Sequence, residues 1–219
     1  MRNTLGLWLL LLAAVFLIPG VGMAKESPQE AVDSYVQKVL QTFRQYEGTE
    51  LDTPEKRKEF KDKLSCVAGE VFDYRIMARM SLGQYWRDFS GEQQKEFVQL
   101  FRSLIETNYF NKLVENLKEV KAYSRDTIVL TDEIVFSSSK AEVRSFIRLQ
   151  DKKIPVNYRL LSRSGEKWGV YDVRVEGVSL IQNYRSQFRD ILNQKSPEEL
   201  LEELRRKLRK QKMEQPENS

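Results

Sequence analysis

Apolar residues fall into two different rhythms along this chain, and the change between them divides it. Near the start, Val32, Tyr35, Val36, Val39, Leu40 and Phe43 recur at helical spacing behind Ser27-Pro28-Gln29-Glu30. That tetrapeptide supplies a cap hydroxyl, a proline at the first helical position and a glutamate at the capping-box position. Gly48 ends this first helix. Thr53-Pro54 starts a second, burying Phe60, Leu64 and Val67, and Asp73 caps a third containing Ile76, Met77 and Met80. Ser90-Gly91-Glu92-Gln93 opens the longest helix, with Phe97, Leu100, Phe101, Leu104, Ile105, Leu113 and Leu117 on a broad apolar face.

Around Thr127 the period drops from 3.6 to 2. Val143, Ser145, Ile147 and Leu149 alternate with Glu142, Arg144, Phe146 and Arg148, and Ile154, Val156, Tyr158 and Leu160 alternate with Pro155, Asn157 and Arg159. Ser164-Gly165 turns the chain into a strand from Lys167 to Val175, and Thr127 to Phe136 forms a first strand of irregular alternation. After Gly177 the helical period returns with Leu180, Ile181, Tyr184, Phe188, Ile191 and Leu192. Ser196-Pro197-Glu198-Glu199 caps a last helix carrying Leu200, Leu201, Leu204 and Leu208. Its glutamates lead and its cations trail, in accord with the helix dipole. The predicted architecture is α+β: N-terminal helices packed on an antiparallel sheet of about four strands, followed by C-terminal helices. The predicted boundaries are 25–195 for the domain, 196–210 for the terminal helix and 211–219 for a disordered tail.

The first 24 residues read differently. Arg2, the apolar run from Leu5 to Ile18, the break at Pro19-Gly20 and the small-x-small site Gly22-Met23-Ala24 describe a cleaved secretory leader. No later segment is apolar enough to span a bilayer. Of 36 Lys and Arg only Arg2 precedes position 25, leaving 35 against 32 Asp and Glu. That balance is too even for a general nucleic-acid binder.

Chemistry is restricted by what is missing. The 219 residues hold no histidine and one cysteine, Cys66, which reads as a small buried hydrophobe between Leu64 and Val67. Without imidazole the commonest general base and the usual zinc ligand are gone. No Gly-rich phosphate loop or calcium loop occurs, so no metal or cofactor is expected and the chain does not read as an enzyme. The best candidate for catalysis is Asp172, with Tyr158 or Tyr171 beside it, against the plainer reading of an ion pair with a neighbouring arginine. A third reading is an adaptor that uses its last helix to hold an assembly together.

Two stretches carry a resemblance. Met80-Ser81-Leu82-Gly83-Gln84-Tyr85-Trp86, followed by Ser90-Gly91-Glu92-Gln93 and Phe97-Val98-Gln99-Leu100-Phe101-Arg102, resembles the signature of the periplasmic toluene-tolerance family, also called MlaC. Trp168-Gly169-Val170-Tyr171-Asp172-Val173 and Glu176-Gly177-Val178-Ser179-Leu180 resemble that family's last strand and its turn into a helix. The resemblance implies a cone-shaped, NTF2-like α+β domain enclosing an apolar cavity. It also implies a periplasmic, monomeric carrier of glycerophospholipids between an inner-membrane ABC transporter and an outer-membrane lipoprotein complex. On that reading the acyl chains meet Leu82, Tyr85, Phe101, Ile105, Tyr109, Val143, Ile147, Val156, Tyr158, Val170 and Val178. Arg87, Lys95, Arg144 and Arg148 are the candidates for the head group or for docking partners.

Overall fold

The computed structural model describes residues 26–46, 51, 53–115, 128–149, 152–163 and 167–214. The expected leader, Gly48, Leu117 and the turn at Ser164-Gly165 lie outside these residues. Six α-helices and five strands follow in the order α1 (Pro28–Gln45), α2 (Pro54–Val71), α3 (Tyr74–Leu82), α4 (Gly91–Glu115), β1 (Ile128–Ser137), β2 (Lys140–Leu149), β3 (Lys152–Arg163), β4 (Lys167–Val175), β5 (Val178–Ser179), α5 (Leu180–Leu192) and α6 (Pro197–Glu214). A 3-10 segment, Gly83–Asp88, joins α3 to α4. The class is the expected α+β.

The helix starts are where the cap residues place them. Ser27 Oγ accepts from the Glu30 amide at 3.1 Å, and the Glu30 carboxylate answers on the Ser27 amide at 2.8 Å. The reciprocal pair recurs at Ser90 and Gln93 (3.2 and 3.0 Å) and at Ser196 and Glu199 (3.3 and 2.8 Å). Thr53 and Asp73 cap α2 and α3 through the amides of Lys56 and Ile76. These bonds satisfy amides that have no partner within the helix.

The strands form one antiparallel meander, β1-β2-β3-β4-β5. The fifth strand exceeds the expected four and is two residues long. It is made by a two-residue turn in which Glu176 (φ 50°) and Gly177 (φ 85°) both take the left-handed region, the geometry of a type I′ hairpin. Irregular alternation in β1 has a cause: register shifts between Leu130 and Asp132 and between Val135 and Ser137. The first moves Glu133, rather than Asp132, opposite Val143. A further shift at Arg159/Leu160 leaves Tyr171 unmatched on β4.

Three apolar clusters hold the elements together. On the sheet, Ala141, Val143, Leu160, Trp168 and Val170 pack under Ala31, Val32, Tyr35, Val36 and Leu40 of α1 and Val71 of α2. A second cluster joins α3, α4, α5 and α6 through Met77, Leu82, Phe97, Phe101, Leu104, Tyr184, Phe188, Leu200 and Leu204. The third pins α1 to α2 through Phe43, Tyr46, Phe60 and Leu64. The helical bundle meets the sheet where the Asp73 amide donates to the Val170 carbonyl at 2.9 Å.

Two sequence expectations change. Cys66 is exposed, because Leu64 and Ala68 take the buried side of α2 and Cys66 turns outward between them. The last helix runs to Glu214, past the expected end at 210, with the Gln211 amide donating to Asn108 Oδ1 on α4 at 2.8 Å. Residues 215–219 lie outside the described residues.

Candidate functional site, the helix-facing side of the sheet

Cross-strand register sorts the strand residues by face, since residues directly opposite share one side of a sheet. One row runs Leu130, Ser145, Val156, Val175, Val178 across all five strands. The next runs Ile128, Ile147, Ile154. On the other side of the first lies Glu133, Val143, Tyr158, Val173, and beyond it Val135, Ala141, Leu160, Val170. All four rows face α1, but α1 covers only part of them. Ala141, Val143, Leu160 and Val170 are fully buried beneath it. Ile128, Leu130, Ile147 and Ile154 are half-buried, Val175 is 43% exposed and Val178 67%. Ile128 and Leu130 still pack at the edge of the cluster beneath α1, whereas Ile147, Ile154, Val175 and Val178 lie outside it, so the apolar rows run on beyond that cluster.

A cleft of about 720 Å³ opens beside this uncovered part, between the first turns of α1 and strand β1. Ile128, Val129 and Leu130 form one wall; Ser27, Gln29, Glu30, Asp33, Ser34 and Glu133 form the rest. Glu133 accepts from the Gln29 amide at 2.9 Å, a carboxylate set against the start of a helix. Bonding to the Ser27 amide holds the Glu30 carboxyl below its ordinary value. Among the described lining residues none is Lys or Arg. Elsewhere on the same side of the sheet, packed against the cluster beneath α1, burial pushes the Tyr158 phenol up, so that it stays neutral.

The structure brings together only part of the expected lining. Val143, Ile147, Val156, Tyr158, Val170 and Val178 share the helix-facing side of the sheet. Leu82, Phe101 and Ile105 are instead closed into the interhelical cluster. There Phe101 stacks on Phe97 at 5.7 Å between centroids and meets the edge of Tyr184 at 5.1 Å. Tyr85 is half-buried in the 3-10 segment, its hydroxyl donating to Asn193 Oδ1 at 2.6 Å, and Tyr109 is 44% exposed on α4. Ile128, Leu130, Ile154 and Val175 were not anticipated. Ile154 stands in phase with Val156 and could have been found by continuing the alternation, whereas Val175 comes onto this side only through the shift that leaves Tyr171 unmatched on β4. Ile128 and Leu130 were hidden by the register shift in β1.

The four expected cations do not converge. Arg144 and Arg148 lie on the opposite side of the sheet from Val143 and Ile147. Arg144 pairs there with Asp132 (3.4 Å) and Glu142 (3.6 Å), and the Arg148 guanidinium sits 5.9 Å from the Phe146 ring. Lys95 pairs with Glu92 at 2.8 Å on α4, and Arg87 is exposed on the 3-10 segment.

Asp172 is occupied structurally. Its carboxylate accepts from the Ser179 hydroxyl at 2.7 Å and the Ile181 amide at 3.1 Å, which fastens the start of α5 to β4, and Arg159 stands 4.0 Å away. Tyr158 lies on the other face of the sheet, and Tyr171 belongs to the interhelical cluster. The leucine stripe of α6 is likewise packed, with Leu200 and Leu201 fully buried and Leu204 4% exposed. Among the described residues no group of three His, Cys, Asp or Glu could hold a metal, and no helix is long and apolar enough to cross a membrane.

Known proteins resemble this chain in sequence and in fold. The intermembrane phospholipid transport system binding protein MlaC of Haemophilus influenzae is 27% identical over 127 residues, 55% of this chain. The alignment also spans 55%, about half, of that relative's length. Among solved structures, the phospholipid-binding protein of Ralstonia solanacearum, determined in complex with a phospholipid, superposes with a TM-score of 0.69 at 20% identity. The match covers 86% of this chain and 99% of that one, which establishes a common fold. The model of the family described as MlaC protein matches residues 33–206, most of the chain, and the chain therefore belongs to that family.

Proposed function

We propose that this protein is a periplasmic phospholipid carrier, exported behind a leader cleaved near residue 24, that holds acyl chains against the helix-facing side of its sheet. The observation that carries this reading is the pair of apolar rows, Ile128-Ile147-Ile154 and Leu130-Val156-Val175-Val178, which begin at the wall of an open cleft in Ile128 and Leu130 and run on through Ile147, Ile154, Val175 and Val178, outside the cluster beneath α1. Two acyl chains exposed to water cost above ~20 kcal/mol, at ~0.8 kcal/mol per methylene. Aliphatic walls recover that energy without regard to chain length, which suits a ligand of variable tails. The family and the phospholipid named for both relatives point the same way. On this reading the carrier shuttles between an inner-membrane ABC transporter and an outer-membrane lipoprotein complex. Engagement of Asp172 by Ser179, Ile181 and Arg159 weighs against the catalytic alternative, and packing of the α6 leucines weighs against an adaptor built on that stripe.

Purification from the native compartment without detergent, solvent extraction and mass spectrometry test the proposal. A glycerophospholipid close to stoichiometric with protein is expected. Protein that is folded, lipid-free and unable to take up lipid from vesicles would refute it.

A further inference from the structure

A second opening lies in the helical bundle, between α5 and α6. It is a groove of about 400 Å³ with an apolar floor of Leu104, Phe188, Ile191, Leu200 and Leu204. Along its rim stand Arg206, Lys207 and Lys210. Glu203, which also lines it, is bonded by Lys195. From Arg205 to Lys212 the sequence has six cations and no carboxylate. Arg205 is held on the fold by a two-bonded pair with Glu96 at 2.7 and 2.8 Å. Nothing in the carrier reading uses this groove.

We infer that the groove docks an amphipathic helix of a partner protein, one whose leucine-like stripe is flanked by Asp and Glu. Shape and charge select this occupant. Leu104, Phe188, Leu200 and Leu204 are each at most 4% exposed yet line an open groove, so they are recessed. A row of side chains from a helix reaches such a floor, whereas a flat bilayer surface does not. The cations on the rim then meet carboxylates flanking the stripe, which orients the partner and speeds its encounter. Segments of this chain fit poorly. Residues 215–219 contain no large aliphatic or aromatic side chain, and residues 1–24 contain no carboxylate to match the rim. A second copy has no stripe to offer from α6, since its leucines are packed inward. The inference is independent of what the sheet binds.

The test uses the purified protein and a fluorescein-labelled synthetic helix of about 18 residues, with Leu at i, i+3, i+4 and i+7 and Glu on both flanks. Saturable binding by anisotropy is expected, weakening with added salt. The double substitution Arg206→Glu/Lys207→Glu should lower affinity at least about tenfold with an unchanged circular dichroism spectrum, and a peptide carrying Lys in place of Glu should bind that variant instead. Ile191→Asp should weaken binding of the original peptide as well. Equal affinity of the native and charge-reversed proteins for the peptide would overturn the inference. So would binding to phosphatidylglycerol vesicles, but not the peptide, that is lost in the variant. A concentration-dependent dimer in sedimentation that the same substitutions abolish would assign the groove to a second copy and overturn it too.

Discussion

Val143 and Ile147 stand on the same side of one strand and do different work. Val143 is fully buried beneath α1, packed in the cluster with Val32, Tyr35 and Leu40. Ile147 is half-buried, one row beyond the row of Val156 and outside that cluster. Val143→Ala should therefore cost about 1–3 kcal/mol in chemical denaturation while the protein keeps its lipid. Ile147→Glu should cost little stability and lose copurifying lipid, because the carboxylate has water in the empty protein and only acyl chains in the loaded one. A folded Ile147→Glu protein with normal lipid content would remove this residue from the site. Gly83 is a different case. At φ 58° and ψ −122° it occupies a region almost closed to residues with a Cβ, at the end of α3. Gly83→Ala should destabilise by about 1–3 kcal/mol, measured as a lower denaturation midpoint. Displacement of the Arg185 guanidinium, which would lie 2.6 Å from the new carbon, is a minor addition because that group ends a long, exposed side chain that can turn aside.

At the scale of elements, the capping boxes couple helix starts to pH. Bonding to the Ser27 and Ser196 amides holds the Glu30 and Glu199 carboxyls below their ordinary values. A carboxyl lowered by folding adds stability that is complete above its unfolded value and is lost as pH falls through the folded one. Stability should thus decline on acidification below the ordinary carboxylate range. The double variant Glu30→Gln/Glu199→Gln should flatten that decline in pH-dependent melting while leaving both helices formed. Glutamine can keep the bond without the charge, as Gln93 does for Ser90 in this same chain. Steepening of the acid limb would contradict the assignment. The same arithmetic of local bonds made most element boundaries legible: the caps at Ser27, Thr53, Asp73, Ser90 and Ser196 were visible as short motifs because their partners lie three residues apart, whereas Ser179, which caps α5 through the Gln182 amide, was not singled out.

Across the whole molecule, the sheet and the interhelical cluster are two packed bodies joined along β4. The interhelical cluster is filled by rings in edge and stacked contact, Phe97, Phe101, Tyr184 and Phe188, all within 5.8 Å of a neighbour. The sheet side keeps apolar rows outside its cluster, and the bundle opens at the groove between α5 and α6. A ligand that binds only the folded state raises its stability by mass action. Delipidated protein should therefore melt below the loaded form, with the difference restored by added phospholipid. Identical melting temperatures would argue that the apolar rows hold no ligand.

Periodicity was enough for the α+β class, the six helix starts and the phase of β2 and β3, because each depends on residues within one or two turns of each other. It was not enough to divide apolar residues between core and cavity. Phe101 and Ile147 both read as inward-facing, and only the packing of α5 against α4 closed the first while the limited reach of α1 left the second open. Nor could it place the cations: Arg144 alternates with Val143 and so had to face away from it, on the side of Glu142, but its partner Asp132 came opposite it only through the register shift in β1. Local spacing sets which side of an element a residue occupies. What stands opposite that side depends on contacts far apart in sequence, and those are fixed only when the elements pack.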